Sequence, residues 1–192
     1  MARQDVLLRF MKFNPLLKGA YIMAISETME KKINEQINAE MYSAYLYLSM
    51  SCQAQDMNLK GFANWFYIQY QEEVAHAMGF LNYVQERGGK VTLTAIEGPK
   101  TQWDSALAMF EETCKHEAYV TSLINGLAAL AVQENDFAAG HFFSWYVKEQ
   151  VEEEATAGEI CSEVKMAQDN HGAMLMLDRE LGARTFVAPI IK

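Results

Sequence analysis

From residue 26 onward, apolar positions recur at alternating spacings of three and four, as in helices that each bury one stripe. Four stripes follow in order. The first reads Ile33, Ile37, Glu40, Ala44, Tyr47, Ser51, Ala54, and the second Phe62, Phe66, Gln69, Glu73, His76, Phe80, Tyr83. The third is Leu107, Phe110, Cys114, Glu117, Thr121, Ile124, Ala128, Ala131, and the fourth Phe143, Tyr146, Gln150, Glu153, Ala157, Ile160, Val164. Punctuation agrees with this reading. Ser26 can cap the first helix, Asp56-Met57-Asn58 makes a turn into a helix from about Leu59 to Glu86, and Gly88-Gly89 stops it. Asp104-Ser105 caps the third helix, and Glu134-Asn135-Asp136 turns the chain into the fourth.

Residues 89–103 carry β-branched side chains, Gly98-Pro99 and no helical period, which makes them a connection. At about 3.3 Å per residue they reach nearly 50 Å, comparable to a helix of about 30 residues, so they can cross a whole bundle. The expected fold is all-α: a four-helix bundle with a long crossover between the second and third helices. A short fifth helix is expected over residues 172–181, followed by an apolar tail from Phe186 to Ile191. A closed bundle needs neither, so both are expected to pack against other subunits.

Residues 1–22 differ from the rest, with four basic residues, one acidic residue and apolar clusters broken by Arg9, Lys12 and Pro15. They form no secretory signal, and Lys18-Gly19-Ala20 can be encoded by a ribosome-binding sequence just upstream of the Met23 codon. They are expected to be a leader or non-native extension, leaving one domain over 23–192.

Composition narrows the function. The chain of 192 residues is 51% hydrophobic and 21% charged, ordinary for one soluble domain with a sizeable core. Its net charge of −9 disfavours nucleic acid as a partner and favours cations. Removing the four basic and one acidic residue of 1–22 from 16 and 25 leaves 12 and 24, a net of −12. Cys52, Cys114 and Cys161 are odd in number and widely spaced, which fits a reducing cytoplasm better than a disulfide framework or a zinc site. Cys114 is expected to pack as a small core hydrophobe. No apolar run is long enough to span a membrane.

The chemistry lies where the stripes are interrupted. Glu40, Glu73, His76, Glu117, Gln150 and Glu153 occupy inward positions, and the four stripes contain no Lys or Arg to neutralise them. A buried carboxylate without compensation costs several kcal/mol, so something positive is expected beside them. Glu40 and Glu73 lie about equally far from their turn, as do Glu117 and Glu153 from theirs, so each hairpin brings its pair to one level. Such a set predicts metal ligation. Oxygen donors with one imidazole suit iron or manganese rather than structural zinc. One ion would take Glu40, Glu73 and His76, the other Glu73, Glu117 and Glu153, with Glu73 bridging. Tyr47 either reaches this centre or fills the core. Glu149 to Glu154 is richer in acid than one centre needs, and a solvated helix face explains such a run equally well. A di-iron oxygenase acting on an organic substrate and a purely structural bundle remain as alternatives.

At Asn34 to Ser43, Gln71 to His76, Lys115-His116-Glu117 and Trp145 through Glu154, the chain closely resembles the bacterial non-haem ferritins, over residues 25–181. The resemblance implies a ferritin-like fold with a ferroxidase centre for two irons at Glu40, Glu73, His76, Glu117 and Glu153, with Gln150 near the second iron. It also implies a third iron site drawing on Glu72, Glu149 and Glu152. Bacterioferritins and radical-generating di-iron oxidases repeat Glu-x-x-His on a second helix, where this chain has Gln150-x-x-Glu153, and no haem is expected. Ferrous iron and dioxygen would be the reactants, and a cytoplasmic homo-oligomeric shell of about 24 subunits would hold the ferric mineral.

Overall fold

The computed structural model describes residues 24–191. Five helices and no strands are found among them: α1 (Glu27–Asp56), α2 (Lys60–Glu86), α3 (Ala106–Glu134), α4 (Phe137–Ala167) and α5 (His171–Leu181). The expectation of a leader over 1–22 lies outside the described residues.

Local chemistry sets the helix ends. The Ser26 hydroxyl accepts from the Met29 amide and starts α1, with Glu27 and Glu30 in the first turn where the helix dipole favours acids. Ser105 accepts from Ala108 N to start α3, and Asp136 accepts from Ala139 N to start α4. Left-handed backbone at Asn58 (φ 59°), Gly88 (φ 72°) and Asn135 (φ 54°) turns the chain at the ends of α1, α2 and α3. The Arg87 guanidinium, at the end of α2, binds Asp136 at 2.8 Å and ties that end to the start of α4.

α1 and α2 pair as one hairpin and α3 and α4 as the other. The crossover between them lies along α1 and is anchored at several points. Glu30 Oε2 accepts from Lys90 N, Asn34 exchanges bonds with Lys90 O and Thr92 N, Asn38 donates to Thr94 and Ala95 O, and Ser49 donates to Lys100 O. These bonds give the loop's backbone the partners that a sheet or helix would otherwise provide.

The core is two apolar clusters rather than one. Met50, Phe62, Phe66, Met109, Phe110 and Val164 form the first, and Met29, Ile33, Phe80, Ile124 and Phe143 the second. Between them lies a buried polar layer containing Glu40, Gln69, Glu73, His76, Glu117, Gln150 and Glu153. The stripes expected for α1, α2 and α4 are buried at every position. The α3 stripe is corrected by one residue at several steps: Ala106, Thr113, Val120 and Leu127 are buried, while Leu107, Cys114, Thr121 and Ala128 are half-buried. Both rows are apolar or small, and packing against the neighbouring helices selects between them. The Cys114 thiol lies near Cys161, and burial first, then Cys161, pushes it up to about 11.

The fifth helix also departs from expectation. It docks on its own bundle, with Leu177 and Leu181 buried in the first apolar cluster. α2 has no side-chain cap of its own, and Asp178 of α5 supplies one, its Oδ1 accepting from Gly61 N at 2.8 Å and Phe62 N at 3.2 Å. The two backbones approach so closely at Gly61 that a Cβ there would lie 1.5 Å from Asp178 O. The tail continues along the bundle until Ile191 packs at Gly79 and the Tyr146 hydroxyl. The reason is that α5 carries both a cap and an apolar pair for its own α2, which the stripe pattern does not show.

Gly61→Ala is therefore expected to undock α5 and lower stability by about 3 kcal/mol. Urea denaturation, with proteolysis of the α4–α5 junction as a local readout, measures it. Unchanged stability and cleavage would mean that this contact is not a structural requirement.

Candidate metal centre

Each acidic side chain of the polar layer comes from a different helix. α1 supplies Glu40, α2 supplies Glu73 and His76 one turn apart, α3 supplies Glu117 and α4 supplies Glu153. All are at least nine-tenths buried. Glu40, Glu73 and His76 each present one ligand atom within 4.8 Å of the others, a spacing that admits a metal ion among them.

Neutral donors fix the carboxylates without cancelling their charge. Gln36 Nε2 donates to Glu40 Oε1 at 2.8 Å, and Gln69 Nε2 to Glu153 Oε2 at 2.9 Å. Glu117 receives the Tyr47 hydroxyl on Oε1 and Gln150 Nε2 on Oε2 at 3.2 Å. Two buried side-chain polar atoms among the described residues have no hydrogen-bond partner: Glu73 Oε2 and His76 Nε2. His76 Nδ1 stands 3.5 Å from Glu73 Oε2, and its ring meets Trp145 and Tyr146 edge-on. An unsatisfied buried carboxylate oxygen beside an imidazole fits a bound cation, which supplies the charge that the helices do not.

Electrostatics reports the same frustration. Burial, reinforced by repulsion from Glu73, raises the Glu40 carboxyl well above the usual carboxylate range. Glu73 is raised by burial and then by Glu117, and Glu117 chiefly by burial. Burial and Glu117 push Glu153 up to about 7. Glu40 and Glu73 bring carboxylate oxygens within 4.8 Å of each other. Behind Glu117, His116 bonds Ser43 Oγ at 2.7 Å, and burial holds its pKa down to about 4.

The flanking acids are placed differently. Glu72 is half-buried and forms an ion pair with Arg184 at 2.6 Å; burial pushes its carboxyl up and Arg184 opposes this. Glu149 is half-buried near it, close enough to raise it further. Glu152 stands apart, with its side chain 62% exposed and paired with Lys148 at 3.3 Å. The expectation that no side-chain cation would be available is thus corrected at this edge. Arg184 follows α5 and belongs to no stripe, so a search confined to the seams misses it. Gln36 likewise lies outside the stripes, although its position one turn before Glu40 is a legible signal.

A raised carboxyl binds its proton more tightly in the folded chain, so its stabilising contribution is complete at low pH and lost as pH climbs from the unfolded value through the folded one. His116 acts oppositely, losing its contribution as pH falls from about 6.5 to about 4, but it is one group against Glu40, Glu73, Glu117 and Glu153. The metal-free protein is therefore expected to lose stability as pH rises from about 5 to about 8, and Glu73→Gln to flatten that slope. Thermal melts in chelator across this range test it; a wild-type stability that rises with pH would contradict the electrostatic account.

Comparison with known proteins places this arrangement. A family model described as a ferritin-like domain matches residues 30–167. The bacterial non-heme ferritin of Bacteroides fragilis (strain 638R) is 41% identical over 160 residues, covering 83% of this chain and 99% of that protein. The bacterial non-heme ferritin of Staphylococcus aureus (strain USA300) is 32% identical over 162 residues, covering 84% and 98%. Among solved structures, an engineered closed form of the Archaeoglobus fulgidus ferritin superposes with a TM-score of 0.84 at 50% identity, over 85% of this chain and 100% of that one. The open-pore ferritin of the same archaeon gives a TM-score of 0.83 at 50% identity, over 84% and 98%. The helix order, the buried carboxylate layer and these likenesses agree: the chain belongs to the ferritin family.

Proposed function

We propose that the protein stores and detoxifies iron, oxidising ferrous iron with dioxygen at a two-iron centre within each subunit. The observation that carries this reading is the buried layer of Glu40, Glu73, His76, Glu117 and Glu153, with Glu73 Oε2 and His76 Nε2 left without hydrogen-bond partners. Iron here is substrate and cargo. One ferrous ion would be held by Glu40, Glu73 and His76, and the second by Glu73, Glu117 and Glu153. Glu73 would serve both. Carboxylates stabilise ferric over ferrous iron, so binding itself favours electron loss to dioxygen.

The neighbouring residues orient these ligands. Gln36, Gln69 and Gln150 each hold a carboxylate oxygen, restricting the rotamers of long side chains that would otherwise move freely. Gln150 supports this reading as a donor to Glu117 beside the second ion. Tyr47, fully buried with its hydroxyl on Glu117, stands where it can supply a proton or an electron to the oxidation. The apolar clusters on either side exclude bulk water from the layer.

Storage requires an enclosed volume, so the same reading includes a homo-oligomeric shell of about 24 subunits in the cytoplasm. Support comes from large apolar side chains left exposed on one chain, including Leu93, Phe137, Met176 and Ile190. No helix among the described residues is long and apolar enough to cross a membrane.

Glu73→Ala is expected to abolish fast ferrous oxidation, because both ions lose a ligand. Glu149→Ala is expected to leave the first oxidation of about two irons per subunit intact, because Glu149 lies outside the two-ion ligand set. Stopped-flow absorbance of the early ferric species compares them; loss of that species in Glu149→Ala but not in Glu73→Ala would reverse the assignment. Light scattering is expected to give a particle of roughly 24 subunits that retains iron through gel filtration. A stable monomer turning over iron without keeping it would point to a di-iron oxygenase instead.

A further inference from the structure

Arg184 lies three residues beyond the end of α5, yet its side chain reaches the edge of the carboxylate layer. Asn64 of α2 grips the segment from below, its Nδ2 donating to Leu181 O at 3.3 Å and to Arg184 O at 3.0 Å. The guanidinium stacks over Trp65, 5.0 Å from the ring centre. Nη1 donates to Gln69 Oε1, and Nη2 donates to Glu72 Oε2 at 2.6 Å. Gln69 is only 1% exposed and passes the contact on, its Nε2 donating to Glu153 Oε2. Because Arg184 engages the Gln69 carbonyl, the amide nitrogen is the end left to face Glu153. A cation held on the tail thus controls one carboxylate directly and a second through an oriented amide.

We propose that Arg184 is a resident counter-cation and positioning residue of the centre: it keeps Glu72 out of metal coordination and orients Glu153, so that each subunit favours two metal ions over three. This rests on the two-metal reading given above. An ion drawing on Glu72 and Glu149 could not take the Glu72 carboxylate without breaking a charge-assisted contact of 2.6 Å. Glu152 does not compensate, since it points to solvent and pairs with Lys148. Asn64 holds the main chain of the same segment, so the guanidinium is presented to Glu72 from an anchored stretch of tail.

Zinc, which binds without redox turnover, is the probe for calorimetric titration of the intact assembly. Wild type is expected to bind about two ions per subunit tightly, and Arg184→Gln to gain a third whose affinity is about 10- to 100-fold higher than in wild type. Arg184→Lys keeps a positive charge near Glu72 and is expected to return the count to about two. Equal zinc stoichiometry and affinity in wild type and Arg184→Gln would overturn the proposal while leaving the two-metal reading intact; no tight zinc in wild type would instead overturn that reading. If Arg184→Gln fails to fold, a crystal structure of zinc-loaded wild type decides. Two ions with Arg184 seated on Glu72 supports the proposal, and a third ion on Glu72 with Arg184 displaced overturns it.

Discussion

Placing carboxylates inside a helical bundle without a lysine or arginine on the same seams is the constraint from which much of this architecture follows. Each ionised carboxylate withdrawn from water carries a penalty of several kcal/mol, and repulsion among neighbours adds to it. Glu40, Glu73, Glu117 and Glu153 show the effect directly as raised pKa values. A layer so unfavourable in the empty protein persists only if the surrounding packing holds it. The apolar clusters above and below do so, with phenylalanines from α2, α3 and α4 packed on either side.

The polar groups that touch the layer are mostly neutral, and this has a chemical consequence. Glutamine and tyrosine can fix the direction of a carboxylate while leaving its charge free for a cation, whereas a lysine in the same place would compete for it. Gln36, Gln69, Gln150 and Tyr47 each occupy one oxygen in this way. The oxygen left over on Glu73 and the free imidazole nitrogen of His76 mark where the compensation is missing. Arg184 is the exception, and its location at the edge, on Glu72 rather than within the ligand set, is consistent with the same logic.

The tail gives the site a second level of support. Asp178 caps α2 from α5, Gly61 allows the two backbones to meet, and Arg184 extends the same segment to Gln69 and Glu72. Stability of the α2–α5 contact and geometry at the carboxylate layer are therefore coupled through one short stretch of chain. The crossover contributes on the opposite side by bonding to α1 at Glu30, Asn34 and Asn38, close in sequence to Gln36 and Glu40.

Periodicity alone determined the four long helices, the turns between them and the inward positions of Glu40, Glu73, His76, Glu117, Gln150 and Glu153, because burying one face forces a three-and-four spacing that any sequence must display. Caps were equally legible at Ser26 and Ser105, where a hydroxyl beside the first helical turn has few other uses. The α3 seam was legible only in part, since Cys114 and Thr113, or Thr121 and Val120, satisfy hydrophobicity alike until neighbouring helices choose between them. Nor did the sequence separate the half-buried Glu149 from the solvent-facing Glu152, because acids one turn apart on one helix differ only in direction. The docking of α5 and the reach of Arg184 came from tertiary structure alone. They join residues more than 110 positions apart through a backbone approach and a long side chain, and neither leaves a periodic trace.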